Sequence, residues 1–229
     1  MKRRERIPGS VVARRAPKRY TPALMIAAID LEGVLAPEIW PHLADEFGIP
    51  ELRLTTRDIA DFEELMRRRV NALDQAGITL AKMQKAAHEV QPYLGSREFL
   101  RRIRRHCQIL ILSDTFHEMA EPLVEHLGGF NLFANRFETD AHGRIVGWKL
   151  RIRGRKAMVI EGMRRAGFRV IGMGDSLNDL TLLQNADYPL LYRPVQALRE
   201  ALPGAPVVQD LDEALSRFLE IFRSNGSEA

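Results

Sequence analysis

Sulfur chemistry is almost absent from this sequence: it holds one cysteine, Cys107. That excludes an intramolecular disulfide and suits a reducing compartment, so a cytoplasmic location is expected. No apolar run approaches the ~20 residues of a membrane helix, and no membrane partner is expected. The six histidines show no metal-type spacing, so they are read as solvated or core residues. Gly172-Met173-Gly174 lacks the full dinucleotide fingerprint, and no nicotinamide cofactor is inferred. No aromatic residue interleaves with Arg101-Arg102 and Arg104-Arg105. A solvated helix face is the better reading there, and nucleic acid is not an expected partner. No internal repeat is present.

Positive charge is also scarcer on the body than the net +4 suggests. Residues 1–20 carry Lys2, Arg3, Arg4, Arg6, Arg14, Arg15, Lys18 and Arg19 against Glu5 alone, a net +7. The other 209 residues therefore sum to −3. A nucleic-acid arm and a secretory signal are alternative readings of this tail. The preferred one is a disordered extension, or a start assigned too early, because Met25 opens the first strand. Residues 1–22 are set aside on that ground.

What is present is a rhythm of short apolar runs separated by amphipathic stretches. Leu24–Ile29, Ile109–Leu112, Val170–Met173, Tyr188–Tyr192 and Pro206–Val208 read as buried parallel strands. Strands alternating with helices predict an α/β fold, a Rossmann-like doubly wound parallel sheet. Two stretches break the rhythm. Residues 38–91 read as helices over Glu38–Phe47, Phe62–Gln75 and Leu80–Gln91, punctuated at Gly48-Ile49-Pro50 and Ala76-Gly77-Ile78. They predict a small helical cap over residues 38–92, inserted into a core of residues 23–37 and 93–229. Arg136–Leu150 reads as a hairpin around Asp140-Ala141-His142-Gly143.

Three acidic clusters fall at the carboxyl ends of predicted strands: Asp30-Leu31-Glu32-Gly33-Val34, Ser113-Asp114-Thr115 and Gly174-Asp175-Ser176-Leu177-Asn178-Asp179. Sites of open α/β sheets form beyond those ends. One acidic residue after a strand is commonly a solvated loop start. Three such clusters with Lys156 between them are harder to dismiss. Asp30 and Asp175 are hard oxygen ligands suited to Mg²⁺. A carboxylate beside that ion can attack phosphorus. A turn at Gly33 would bring Glu32 to the same phosphate as acid and base. Amides around Glu32–Gly33 can cradle phosphate oxygens. Ser113, Thr115 and Lys156 offer donors and positive charge.

In this order the motifs resemble those of the haloacid dehalogenase-like superfamily, over about residues 24–222. Further segments are more specific: Asp30-Leu31-Glu32-Gly33-Val34-Leu35, Pro37-Glu38-Ile39-Trp40, Thr55-Thr56-Arg57-Asp58-Ile59, Leu112-Ser113-Asp114-Thr115-Phe116 and the 174–179 loop. Here the chain resembles the phosphoserine phosphatases, and most closely the bifunctional phosphoserine phosphatase/homoserine phosphotransferases. The resemblance implies Asp30 as nucleophile and Glu32 as acid/base. It implies Mg²⁺ held by Asp30, Asp175 and the Glu32 carbonyl, supported by Asn178 and Asp179. Phosphate would meet Ser113, Asp114 and Lys156. Glu38 would read the substrate ammonium and Arg69 its carboxylate. Two positions depart from common relatives, Glu32 where Asp is usual and Asp114 where Gly is usual, and the bifunctional relatives share both. The expected activity is hydrolysis of O-phosphoserine, with transfer to homoserine as a second outcome. A phosphatase of another metabolite, such as a sugar phosphate or pyridoxal phosphate, is the alternative enzyme. A non-catalytic binding protein on the same scaffold is the alternative outside catalysis. Arg57 is read evenly between a salt bridge to Asp61 and closure of the cap over an anion.

Overall fold

The computed structural model describes residues 24–56 and 58–226. The basic tail and Arg57 lie outside them. Seven strands form one sheet: β1 (Met25–Ile29), β2 (Gln108–Phe116), β3 (Asn131–Thr139), β4 (Ile145–Lys149), β5 (Arg169–Gly174), β6 (Tyr188–Tyr192) and β7 (Val207–Val208), in the order β4-β3-β2-β1-β5-β6-β7. All pairs are parallel except β3 with β4. The order reverses at β1, whose neighbours are β2 on one side and β5 on the other. A crevice therefore opens beyond the carboxyl end of β1.

The helices are α1 (Ile39–Phe47), α2 (Phe62–Gln75), α3 (Leu80–Ala87), α4 (Ser96–Ile103), α5 (His117–Leu127), α6 (Lys156–Arg165), α7 (Leu180–Asn185), α8 (Gln196–Ala201) and α9 (Leu211–Gly226). β1 is apolar throughout because both of its faces are covered. Met25, Ala27 and Ile29 enter one core with residues of α1 to α5 and α9. Ile26 and Ala28 enter the other with Ile160 of α6, Leu182 and Leu183 of α7, and Leu198 of α8. The period of two along the strand thus feeds two layers of helices.

The strand and helix bounds of β6 and α2 fall where the sequence predicts them. The predicted hairpin is real but larger: its first arm begins at Asn131, pairs with β4, and also extends the parallel sheet beside β2. The helices α1 to α3 follow β1 directly, and Leu43, Met66, Leu73 and Met83 share an apolar cluster with β1. Trp40 of α1 packs edge-on against Phe116 and Phe137, which stack on each other with centroids 3.8 Å apart. Among the described residues no helix is long and apolar enough to cross a membrane.

Candidate active site

The site begins where β1 stops. The Asp30 amide donates to the Met173 carbonyl at 3.0 Å, which locks the end of β1 to β5. The chain then turns sharply: the Gly33 amide donates to Ala36 O, and the Leu35 and Ala36 amides donate to Leu31 O. Gly33 has φ +83°, and a Cβ there would lie 2.3 Å from Asp175 Oδ2. Both the sign of φ and the close approach demand glycine. The turn points Glu32 toward α1, and the Ile39 amide donates to Glu32 Oε1 at 2.8 Å. Glu32 thereby satisfies one orphan donor of that helix end. Glu38, the residue before α1, is exposed and makes no side-chain cap bond.

Lys156, the first residue of α6, is buried at the centre of the carboxylates. Its Nζ lies 2.6 Å from Asp179, 2.9 Å from Asp30 and 3.3 Å from Asp114. Asp179 also accepts the amides of Asp175 and Ser176 through Oδ2, which ties down the loop. Gly174 is required for this wrap, since a Cβ would sit 2.5 Å from the Asp179 side chain. Asn178, by contrast, is exposed. Carboxylate oxygens of Asp30, Asp175 and Asp179 lie within 4.8 Å of one another.

The electrostatics follow from crowding. Burial and then Asp179 hold the Asp30 carboxyl well above its usual range, against the pull of Lys156. Burial, Asp179 and Glu38 push Asp175 up to about 7. Burial would lower the Lys156 ammonium, but Asp30, Asp179 and Asp114 outweigh it and hold the group well above the ordinary lysine value. Glu32 is pushed to about 7 by burial and Glu38, with the Ile39 amide and Arg69 pulling back. One ammonium does not neutralise this many acids. An all-oxygen donor set with surplus negative charge fits a hard divalent cation.

Ser113, Asp114 and Thr115 sit at the carboxyl end of β2. Ser113 and Thr115 are buried, and the Thr115 amide donates to Ser113 Oγ at 3.3 Å. Asp114 turns one oxygen to Lys156 and leaves Oδ1 buried without a hydrogen-bond partner. Its backbone carbonyl accepts from Asn135 Nδ2 at 2.7 Å. Asn135 Oδ1 accepts the amides of Arg151, Ile152 and Arg153, at 2.8, 3.0 and 3.4 Å, on the approach to Lys156. Sequence reading missed Asn135. The available signal was a polar residue beside Ala134 in a run that leads into the predicted hairpin.

Arg69 is buried on α2 with its guanidinium 4.2 Å above the Trp40 ring. Nη2 donates to Leu54 O at 2.5 Å, and Nε is buried with no partner. Among the described residues no carboxylate pairs with it at salt-bridge distance. Burial lowers its pKa to about 10, with Glu32 and then Glu38 acting in the opposite sense. The structure thus brings Asp30 and Glu32 after β1, Ser113 and Asp114 of β2, Asp175 and Asp179 after β5, and Lys156 of α6 to the carboxyl edge of the sheet, with Glu38 and Arg69 close enough to act on Glu32.

The haloacid dehalogenase-like hydrolase family matches residues 16–184. A phosphoserine phosphatase of Pseudomonas syringae pv. tomato is 40% identical over 199 residues, 86% of this chain and 84% of that one. Phosphoserine phosphatase ThrH of Pseudomonas aeruginosa is 37% identical over 195 residues, 85% of this chain and 95% of that one. The solved phospho-aspartyl intermediate analogue of a phosphoserine phosphatase superposes with a TM-score of 0.68. It covers 85% of this chain and 98% of that one at 22% identity, a likeness of fold. The chain belongs to the haloacid dehalogenase-like hydrolase family, in its phosphoserine phosphatase branch.

Proposed function

We propose that this hydrolase cleaves O-phosphoserine through a phosphoryl group carried on Asp30. The observation that carries the reading is the buried Lys156–Asp30 contact at 2.9 Å, set at the end of β1 among Asp114, Asp175 and Asp179. Asp30, the Glu32 carbonyl and Asp175 would hold Mg²⁺, supported by Asp179 and Asn178. Bound there, the ion would offset the carboxylates and draw charge from the phosphoryl oxygens.

Asp30 attacks phosphorus and the bond from phosphorus to the serine oxygen breaks. Glu32, protonated, gives its proton to that oxygen. Water then attacks phosphorus while Glu32 takes its proton, and the bond from phosphorus to Asp30 breaks, releasing inorganic phosphate and the free carboxylate. A carboxyl with a pKa of about 7 can serve both halves near neutral pH. Lys156 holds Asp30 in place and, with the Ser113 hydroxyl, meets the phosphoryl oxygens. Asp114 acts on the phosphate by fixing Lys156. The helical segment 38–92 serves as the cap. In it Arg69 offers its unpartnered Nε–H to the substrate carboxylate and Glu38 meets the ammonium. Homoserine carries the same two groups and could take the phosphoryl group in place of water.

The test is phosphate release with Mg²⁺ from phosphoserine, a sugar phosphate and pyridoxal phosphate, with and without homoserine. Preference for phosphoserine, abolished in Asp30→Asn, is the expected result. Preference for an ester lacking the amino-acid groups would reject the substrate assignment and keep the phosphatase.

A further inference from the structure

We propose that Asn135 is a positioning residue of the phosphate site, one buried amide that sets the Ser113–Thr115 segment and the Lys156 helix against each other. The inference rests on the phosphatase reading above and deepens it. Nothing in the mechanism so far uses Asn135, which is fully buried and lies on β3, two strands away from the nucleophile at the end of β1.

β2 and β3 pair in register at Leu110↔Asn131, Ile111↔Leu132 and Leu112↔Phe133, and pairing resumes at Phe116↔Asn135. Over that interval β2 advances four residues while β3 advances two. The surplus bulges out of the ladder and contains Ser113, Asp114 and Thr115. Bulges beside active sites re-aim side chains at the cost of ladder bonds. The Asp114 carbonyl takes its bond from the Asn135 side chain instead, at 2.7 Å.

The other end of the same amide holds the second half of the site. Asn135 Oδ1 gathers three successive amides, Arg151 to Arg153. Two residues later the Arg155 amide donates back to Ile152 O at 2.7 Å, and α6 begins at Lys156. Lys156 Nζ then returns to Asp114 Oδ2 at 3.3 Å. A closed circuit results: Asp114 backbone, Asn135, the 151–155 turn, Lys156, and the Asp114 carboxylate. The two groups that meet phosphate, Ser113 and Lys156, come from distant segments, and Asn135 is the hydrogen-bonded link between their backbones. The side-chain amide supplies a donor to one segment and an acceptor to the other from a single planar group.

The role is tested in the full-length protein with Mg²⁺, using Asn135→Ala and Asn135→Asp. Turnover is measured on phosphoserine and on p-nitrophenyl phosphate, inorganic phosphate binding by calorimetry, and folding by Tm. Asn135→Ala should lower kcat/KM by about 10²-fold on both esters alike, the scale of an ångström-sized misplacement. Phosphate binding should weaken in parallel, because the two esters and the ion share only the phosphoryl group. Asn135→Asp keeps an acceptor for the three amides and leaves one buried carbonyl unpaired. Its loss should be smaller, about tenfold. A lowered Tm with unchanged phosphate binding and kcat/KM would assign Asn135 to stability alone and overturn the proposal. So would a loss confined to phosphoserine, or failure of both variants to fold. If the wild type releases phosphate from neither ester, the functional reading fails instead, and phosphate binding by calorimetry still decides the role of Asn135.

Discussion

Glu32 Oε1 accepts the Ile39 amide at 2.8 Å, so the residue assigned to proton transfer is tied to the first turn of α1. The bond fixes the carboxyl while burial and Glu38 hold its pKa near 7. Glu32→Gln keeps an amide oxygen for Ile39 and loses the proton chemistry. Phosphoserine turnover should fall roughly 10²–10⁴-fold, the range of general acid–base catalysis. Mg²⁺ affinity, measured by titration, should hold, since the side chain is not assigned to the ion. A rate loss accounted for entirely by weaker metal binding would remove the acid/base role.

The raised carboxyls make a pH statement. Asp175 stands near 7 in the fold, above the ordinary carboxyl range, and Asp30 is raised as well. The metal-free fold binds these protons more tightly than the unfolded chain does. Their contribution to stability is therefore full below about pH 4 and lost as pH rises to about 7. Mg²⁺ competes with the protons, so its stabilisation should grow over the same interval. Melting curves with and without Mg²⁺ at pH 6 and pH 8 should show the larger increase in Tm at pH 8. An increase independent of pH would mean that these carboxyls are not the ones the ion meets.

Gly33 is expected to be irreplaceable. Gly33→Ala adds a Cβ 2.3 Å from Asp175 Oδ2 at a positive φ. Strain of about 1–3 kcal/mol should appear in chemical denaturation. The displaced Asp175 should also weaken Mg²⁺ binding. Normal metal affinity in a destabilised variant would separate Asp175 from the ion.

Arg69 should act on the amino-acid half of the substrate only. Arg69→Ala is expected to cut kcat/KM for phosphoserine by about 10²-fold or more, as for loss of a charge-assisted pair. p-Nitrophenyl phosphate, which has no carboxylate, should be nearly unaffected. Part of the phosphoserine loss should fall on kcat, because remote binding energy helps align the phosphate. Equal losses on both esters would make Arg69 a structural partner of Trp40.

The parts of this molecule legible in its sequence are those written locally. β1, β5 and β6 are buried on both faces, so they read as unbroken apolar runs. Asp30, Ser113 and Asp175 each follow such a run, and Lys156 was found by its order among them. What escaped depends on distant segments meeting. β3 reads Asn-Leu-Phe-Ala-Asn, without an unbroken apolar run, because its first residues are partly exposed and Asn135 gives its amide to the bulge in β2. The position of Arg69 over Trp40 brings together residues 29 apart in the chain and has no local signature. Glu38 is exposed and makes no side-chain cap bond, while Glu32, seven residues before Ile39, takes that amide, a partner that spacing does not reveal.

The proposed mechanism places the phosphoryl group on Asp30. Rapid mixing with phosphoserine and Mg²⁺, an acid quench, and peptide mass spectrometry test it directly. The account expects one phosphoryl mass on the peptide containing Asp30, formed within the first turnover and absent in Asp30→Asn. Turnover at full rate with no labelled peptide, or with the label on another residue, would contradict it.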